Sequence, residues 1–288
     1  RASWAQPRVS PDGRSLLLRR SAQPDCSLWR LDLERGSLSR LGVEGDAHNP
    51  LWMPDGERIL VSLTAPMGAG SRQVVEMRLD GAGSPAPLQK AGFAANAESV
   101  SPDGRYVYHQ FSSGDADALM GHFQVRRLDR RTGTVVDITS GTADNAAASR
   151  ASSGGAWSPE ISPDGRWLAF ARQIPDGTIE WKGHEFGPRT ALWLRDLETG
   201  SERLLMDPIA VSVEANSYTL SMLPGYAWAR DGRSLVLWAG GKIRRVDVAS
   251  GEVATIPFRA RVNRTLSELA WAPFRIEDGA FQSKFLRW

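Results

Sequence analysis

One short motif occurs five times along the chain and constrains its fold more than any other feature. Its clearest copy is Ser-Pro-Asp-Gly at residues 162–165, followed by Arg166 and the apolar run at residues 167–170, and the fifth copy has Arg230 in place of proline. Proline presets φ at the first corner of a β-turn, aspartate accepts hydrogen bonds from the turn backbone, and glycine adopts a left-handed conformation that side chains disfavour. Each copy therefore predicts a tight turn between two strands. The residues of these structural turns are Asp12 and Gly13, Asp55 and Gly56, Asp103 and Gly104, Asp164 and Gly165, and Asp231 and Gly232.

A second repeated element follows each turn and predicts a hairpin. It is an apolar run that ends in aspartate, with glycine four residues later in four of the copies, as in Asp196 and Gly200, and with Asp80 next to Gly81 in the second copy. Aspartate and glycine between two β-runs indicate a tight connection. Each repeat thus contains four strands, here called a, b, c and d, in antiparallel order.

The spacing of the repeats predicts the fold class. Successive turn aspartates lie 43, 48, 61 and 67 residues apart, and periods in the forties are typical of four-stranded propeller blades, with insertions where the period is longer. We expect an all-β protein, a β-propeller with five recognisable four-stranded antiparallel blades that form part of a larger ring.

The repeats also divide the chain. Residues 1–258 hold blades one to five, at about residues 5–41, 49–88, 97–138, 157–206 and 226–257. Residues 259–288 read as a connector and the start of a further blade of the same, truncated domain. Residues 139–155 are rich in Ser, Ala, Gly and Asn, which is typical of a mobile loop. The chain starts at Arg1 without a methionine, which suggests a processed or trimmed N-terminus.

Composition and single residues exclude several function classes. The formal charge of +2 is too small to indicate nucleic-acid binding, and no apolar run approaches the ~18 residues of a transmembrane helix. The four histidines include no His-x-His pair, and no Gly-x-Ser-x-Gly motif occurs, so we expect no catalysis, no metal and no cofactor in this chain. Asp115, Asp117 and His122 form a short acidic cluster that is weak evidence for calcium. Cys26 has no second cysteine to pair with.

Loop lengths point to one face of the propeller. The turns between strands a and b and between c and d emerge on one face, called here the turn face, and are short and regular. The b-to-c and d-to-a connections emerge on the other, variable-loop face, and the interval from turn aspartate to hairpin aspartate ranges from 16 to 32 residues. Long irregular loops on a rigid scaffold often carry function, although neutral drift of surface loops explains the variation equally well.

The longest b-to-c loop, residues 172–190, supplies the candidate binding residues. It combines aromatic and titratable side chains at unusual density for a loop. Two interpretations stay open: a lid or docking hairpin, or an extended hairpin pinned by its own aromatic side chains. The candidate residues are Trp181, Lys182, His184, Glu185, Phe186 and Arg189.

The repeats resemble the TolB-like, WD-related propeller repeats of bacteria across essentially the whole chain. Two longer stretches, residues 174–200 and 240–262, together with Phe274-Arg275-Ile276 and Asp278-Gly279, resemble the propeller that precedes a metal-dependent amidohydrolase domain. This resemblance implies further blades and then a hydrolase barrel, and it implies zinc or a similar metal only in that missing domain.

Two functions follow as hypotheses. In the first, the chain is the non-catalytic propeller region of an amidohydrolase-like enzyme that hydrolyses C–N bonds, and it gates substrate or docks a missing C-terminal catalytic domain. In the second, it is a stand-alone TolB-like propeller that binds a protein or peptide partner in the cell envelope. The resemblance favours a periplasmic or secreted bacterial protein, while the sequence itself leaves the compartment undetermined.

Overall fold

The five sequence repeats form five blades of four antiparallel strands in a propeller ring, as the computed structural model of the chain shows. The structure describes residues 3–22, 25–43, 45–64, 72–88, 95–112, 123–139, 156–174, 179–181, 184–186, 189–209 and 225–261. These parts consist of strands, turns and irregular backbone without a helix, so they hold no helix that could cross a membrane. The prediction of an all-β, five-blade propeller is confirmed.

Strands that follow one another in a blade are also neighbours in its sheet. Blade 1 consists of β1 (Ser3–Val9), β2 (Ser15–Ala22), β3 (Asp25–Asp32) and β4 (Leu38–Arg40). Blade 2 consists of β5 (Asp46–Trp52), β6 (Arg58–Thr64), β7 (Arg72–Arg78) and β8 (Ala86–Pro87). Blade 3 consists of β9 (Ala95–Val100), β10 (Tyr106–Ser112), β11 (Phe123–Asp129) and β12 (Val135–Asp137).

Blade 4 carries an insertion between its second and third strands. Its sheet consists of β13 (Ala156–Ile161), β14 (Trp167–Ile174), β17 (Arg189–Asp196) and β18 (Glu202–Ile209). The insertion is a separate two-stranded sheet of β15 (Ile179–Trp181) and β16 (His184–Phe186). Blade 5 consists of β19 (Tyr226–Trp228), β20 (Ser234–Ala239), β21 (Lys242–Asp247) and β22 (Val253–Ile256).

Two blade limits differ from the expected ones by three residues, and the others lie within two residues. β5 starts at Asp46, inside the segment expected to be a connector, and β18 continues to Ile209, past the expected end at residue 206. The chain divides into two compact units, Arg1–Ile256 and Pro257–Trp288, and the blades lie in the first. The division at residue 258 and the interpretation of the tail as a truncated blade stay predictions. The expected mobile loop lies almost wholly outside the described residues.

The five a-to-b turns share one geometry. Each turn glycine donates its N–H to the carbonyl oxygen three residues before it, at 2.8–2.9 Å, and has φ between 68° and 76°. In each turn the aspartate Oδ1 accepts the N–H two residues on, for example that of Arg166 at 3.0 Å in the turn of Asp164. The Ser162 hydroxyl also donates to Asp164, and this bond, the largest cause, lowers the pKa of the Asp164 carboxyl together with the bond from the Arg166 N–H.

The c-to-d hairpins follow one pattern in four blades and differ in blade 2. In these four the backbone carbonyl oxygen of the hairpin aspartate accepts the N–H of the glycine four residues later at 2.8 Å, and the aspartates are Asp32, Asp129, Asp196 and Asp247. In blade 1, strand pairing sets Asp32 opposite Ser15, the third residue after the turn aspartate. In blade 2 the third residue after the turn aspartate is Arg58, and it stands opposite Arg78. The match of Asp80 to the other hairpin aspartates is therefore wrong, because Arg78 occupies that position and Asp80 lies two residues beyond it.

Apolar side chains fill the space between successive blades. Among the described residues, one buried cluster lies between each pair of consecutive blades. β14 contributes to two of them: Ala169 packs toward blade 5, while Leu168 and Phe170 pack toward blade 3, and all three are fully buried. Both faces of this strand are therefore covered. Burial of a side chain such as Phe170 contributes about 1.5–3 kcal/mol.

Candidate functional site

The predicted binding loop is an extended hairpin in its backbone. β14 and β17 stay paired up to Ile174 opposite Arg189, and beyond that pair β15 and β16 match Glu180 with Glu185 and Trp181 with His184. Strand pairing thus places Trp181, Glu185 and Phe186 on one small sheet. Lys182 lies outside the described residues, as do the side chains of the other five candidates, so their role in binding stays a prediction.

The first strands of the blades lie innermost and bring polar side chains together. Arg8 of β1 reaches Glu160 of β13, 152 positions later in the chain, with Nη1 and Oε1 2.8 Å apart. A second set of contacts runs from blade 1 through blade 2 to blade 3. We call this group the inner-strand cluster, and its members are Gln6, Arg8, Asn49, Glu98, Ser99 and Glu160.

Hydrogen bonds link the inner-strand cluster from blade to blade. Gln6 donates Nε2 to Asn49 Oδ1 at 2.7 Å and accepts the Asn49 N–H at 2.9 Å. Asn49 in turn donates Nδ2 to Glu98 Oε1 at 3.3 Å. Ser99 donates its hydroxyl to the Glu160 carboxylate and accepts the Ile161 N–H at 3.0 Å. Because most of these groups are buried, each bond replaces one that water would otherwise supply.

Local backbone irregularities aim these side chains inward. Register shifts interrupt the pairing of β1, β5 and β13 with their neighbours. At the shifts Gln6, Asn49 and Ser158 have φ of 54°, 46° and 51°, values that non-glycine residues rarely adopt. A β-bulge of this kind redirects the side chains beside it. The strain is therefore concentrated on the innermost strands, where the polar cluster lies.

Charge and burial oppose each other at the Arg8 and Glu160 pair. Burial raises the pKa of the Glu160 carboxyl above its ordinary value, although Arg8 and Ser99 favour its charged form. Burial also disfavours the charge on Arg8, yet the carboxylates of Glu160 and Glu98 raise the pKa of that guanidinium. The two side chains keep 32% and 20% of their surface accessible. One guanidinium thus serves two carboxylates at a place that water still reaches.

Aromatic side chains fix the backbone around this pair. Trp52 donates Nε1–H to the carbonyl oxygen of Arg8 at 2.8 Å, and Trp228 donates Nε1–H to that of Glu160 at 3.0 Å. The Tyr226 hydroxyl donates to the Ser158 carbonyl oxygen. Burial, with the nearby charges of Glu160 and Glu98, raises the pKa of Tyr226 well above its ordinary value, so it stays a neutral donor.

The chemistry of the inner-strand cluster is that of polar recognition. It offers a guanidinium, carboxylates and amides that can orient a polar ligand. In the part of the chain that the structure describes, no three His, Cys, Asp or Glu side chains stand close enough to hold a metal ion. Of the histidines, His48 lies 2.9 Å from Asp46, and His109 is buried with its pKa lowered to about 4 by that burial. The Asp115, Asp117 and His122 cluster lies outside the described residues.

Sequence reasoning missed the inner-strand cluster, although a signal for it exists. Gln6, Asn49 and Ser158 each stand before a proline and four residues before the first residue of a turn motif. A polar residue before proline at one fixed place in three repeats marks the bulge position. A second shared position lies two residues before the first residue of a turn motif, and it holds Arg8, Ser99 and Glu160. Alignment of the repeats reveals this position, whereas a search for known motifs does not.

Comparison with known proteins supports the fold. No model of a known protein family matches the chain. The chain is similar to a putative TolB from Agrobacterium tumefaciens, with a TM-score of 0.61, 20% identity, and 88% of this chain and 80% of that chain covered. It is also similar to TolB from Acinetobacter baumannii, with a TM-score of 0.62, 16% identity, and 88% and 53% covered. These likenesses establish a TolB-like propeller fold.

One curated relative has a peptidase name. An uncharacterized peptidase, YuxL, from Bacillus subtilis is 26% identical over 181 residues, which cover 62% of this chain and 23% of that protein. The chain thus spans about a quarter of that relative and about half of the Acinetobacter protein. None of these three relatives is named as an amidohydrolase, so the amidohydrolase parent inferred from resemblance stays a proposal.

Proposed function

We propose that this chain is the non-catalytic propeller region of a larger hydrolase that cleaves C–N bonds. In this role it gates substrate or docks the catalytic domain. The observation that carries the proposal is the Arg8 and Glu160 ion pair, which ties blade 1 to blade 4 across the innermost strands. An accessible ion pair at this place can open for a polar ligand and close behind it.

The parent enzyme belongs to one of two chemical classes. The amidohydrolase-like sequence stretches favour a metal-dependent domain with zinc or a similar metal. The peptidase name of the Bacillus subtilis relative favours a peptidase. Both classes cleave C–N bonds, and neither set of catalytic residues belongs to the described part of this chain, so the propeller itself acts by binding and access.

The natural gene product, expressed with everything its gene encodes, tests the proposal. We expect it to hydrolyse amide substrates, and we expect Glu160→Gln and Arg8→Gln to change kcat/KM for a long peptide at least threefold relative to a single aminoacyl amide. A matched control is Arg126→Gln with Asp137→Asn, which removes an ion pair on the outer strands of blade 3, away from both the inner-strand cluster and the turn face. A chelator then separates a metal-dependent domain from one that uses a nucleophilic side chain, because only the first loses activity with it.

An alternative function is that of a stand-alone TolB-like propeller that binds a protein or peptide in the cell envelope. The TolB-like fold supports it. A natural gene product that lacks amide hydrolysis altogether would rule out the hydrolase and leave this alternative. In that case the b-to-c hairpin of blade 4 is the first surface to substitute in a partner-binding assay.

A further inference from the structure

A groove of about 900 Å³ opens between blades 2 and 3 on the turn face, opposite to the face that loop lengths favoured. Its size lies at the upper end of the ~300–1,000 Å³ that ligand sites occupy. Arginine dominates its walls. The five guanidiniums belong to Arg58, Arg78, Arg105, Arg130 and Arg131.

Two residues that depart from the repeat pattern build this groove. Arg130 follows the hairpin aspartate of blade 3, where blades 1, 4 and 5 have Leu33, Leu197 and Val248. Glu76 of blade 2 stands at the strand position where blades 1, 3 and 5 have Arg30, Arg127 and Arg245. It accepts from both Arg130 and Arg58, the latter at 2.5 Å. Arg130 also donates Nη1–H to the Gly104 carbonyl oxygen at 2.7 Å. The exceptional positions thus pair with each other across the two blades.

Neighbouring carboxylates orient the rim arginines without using all their donors. Arg78 binds Asp80 and Arg105 binds Asp129, and both pairs use Nε and Nη2. Each guanidinium carries five N–H donors, so both keep Nη1 for a ligand. Arg131 is exposed at the hairpin tip. Asp103, the second carboxylate of the lining, accepts from the Ser101 hydroxyl and the Arg105 N–H instead.

The opposite wall of the groove is a sheet edge. It consists of Ser84, Ala86, Pro87 and Leu88, and β8, which contains Ala86 and Pro87, is the outermost strand of blade 2 and exposed. Pro85 and Pro87 lack an N–H, so this edge offers an extended chain chiefly carbonyl oxygens, to which the N–H groups of that chain can donate. Guanidiniums on one wall and a strand edge on the other fit an extended peptide with carboxylate side chains better than a small anion.

We propose that this groove binds an acidic, extended segment of a partner protein. The Nη atoms of Arg78 and Arg105 and the side chain of Arg131 hold its carboxylates, while its backbone follows β8. Arginine recognises carboxylates through paired N–H donors, which gives both strength and orientation. The proposal is independent of hydrolysis, because it concerns the other face of the propeller.

Fluorescence anisotropy with a labelled hexaglutamate peptide tests the groove on the purified chain. We expect binding that weakens as salt screens the charges, and we expect Arg131→Glu to weaken it at least tenfold. The matched control is Arg35→Glu at the exposed hairpin tip of blade 1, which changes net charge equally on the same face and leaves affinity within twofold. Arg131→Gln, expected to weaken binding several-fold, serves as a milder second variant.

Other outcomes overturn the proposal. Equal loss in Arg131→Glu and Arg35→Glu would show diffuse attraction to the whole surface. Absence of hexaglutamate binding at 50 mM salt, or equal binding of hexalysine, would exclude an anion-selective groove. Tight binding of an oligomer of uronic acid without binding of hexaglutamate would assign the groove to an acidic sugar instead of a peptide.

Discussion

At the scale of single residues, the ion pair of Arg8 and Glu160 is the contact with the clearest energetic signature. Removal of one partner leaves the other charge partly buried without its counter-ion. We expect a double-mutant cycle with Arg8→Gln and Glu160→Gln to give a coupling free energy of about 1–2 kcal/mol, reduced from the value for a fully buried pair because both side chains keep some accessible surface. Urea unfolding of the four proteins measures it.

An exposed pair provides the control for that cycle. Arg78 and Asp80 form an ion pair with Nη2 and Oδ2 2.7 Å apart, and their side chains are 47% and 52% exposed. Exposed pairs contribute about 0–1 kcal/mol, so the second cycle should give less coupling than the first. Equal coupling in both cycles would contradict the special position of the inner-strand pair.

His109 makes stability depend on pH. Burial, helped by the charge of Arg126 and opposed by Asp137, lowers the pKa of His109 from 6.5 to about 4. Between pH 6.5 and 4, His109 is protonated in the unfolded chain but neutral in the folded chain. The free energy of unfolding therefore falls as pH falls through this window, by up to about 3 kcal/mol. We expect His109→Gln to remove this part of the pH dependence in urea unfolding. An unchanged pH profile in the variant would refute the assignment.

At the scale of elements, the repeated turns depend on glycine. Gly165 has φ of 75°, and a Cβ there would lie 3.5 Å from Cδ of Pro102, an ordinary contact. The left-handed backbone alone therefore predicts that Gly165→Ala lowers the free energy of unfolding by about 1–2 kcal/mol. Gly42→Ala is the control, because its φ lies outside the left-handed region and a Cβ would meet open space. Equal denaturant midpoints for the two variants would contradict this account.

The elements also show what the sequence could and could not predict. Turn chemistry predicted strands and blades well, because proline, aspartate and glycine act locally. The hairpin of blade 2 was predicted wrongly, because Arg78 occupies the position that aspartate has in the other blades and only strand pairing reveals this. The bulges at Gln6, Asn49 and Ser158 have positive φ without glycine, and contacts between blades stabilise them. The groove between blades 2 and 3 could not be predicted either, because its arginines lie far apart in the sequence and only the packing of the two blades brings them together.

At the scale of the whole molecule, blade 1 leaves an apolar sheet face partly exposed. Strand pairing sets Val9, Leu16, Leu31 and Leu38 in a row across the blade, and Val9 and Leu38 are 61% and 40% exposed. Nearby, the Trp4 and Trp29 rings meet edge to face with centroids 5.9 Å apart. Contiguous apolar surface of this kind favours association.

We therefore expect the isolated chain to associate as its concentration rises, and we expect Val9→Lys with Leu38→Lys to reduce this. Lysine keeps its charge in water and opposes burial of the face against another chain. Sedimentation velocity at several concentrations measures it, with Val136→Lys on the outer strand of blade 3 as the control. A wild-type chain that stays monomeric at high concentration would contradict the expectation.

The central claim is that this propeller serves a larger C–N hydrolase, and the coding region beyond the codon for Trp288 tests it most directly. The account predicts that the open reading frame continues through further turn motifs into a hydrolase domain, with either a His-x-His pair or a nucleophilic serine motif. A stop codon close after Trp288 would contradict it. The chain would then be a self-contained TolB-like propeller whose function is partner binding.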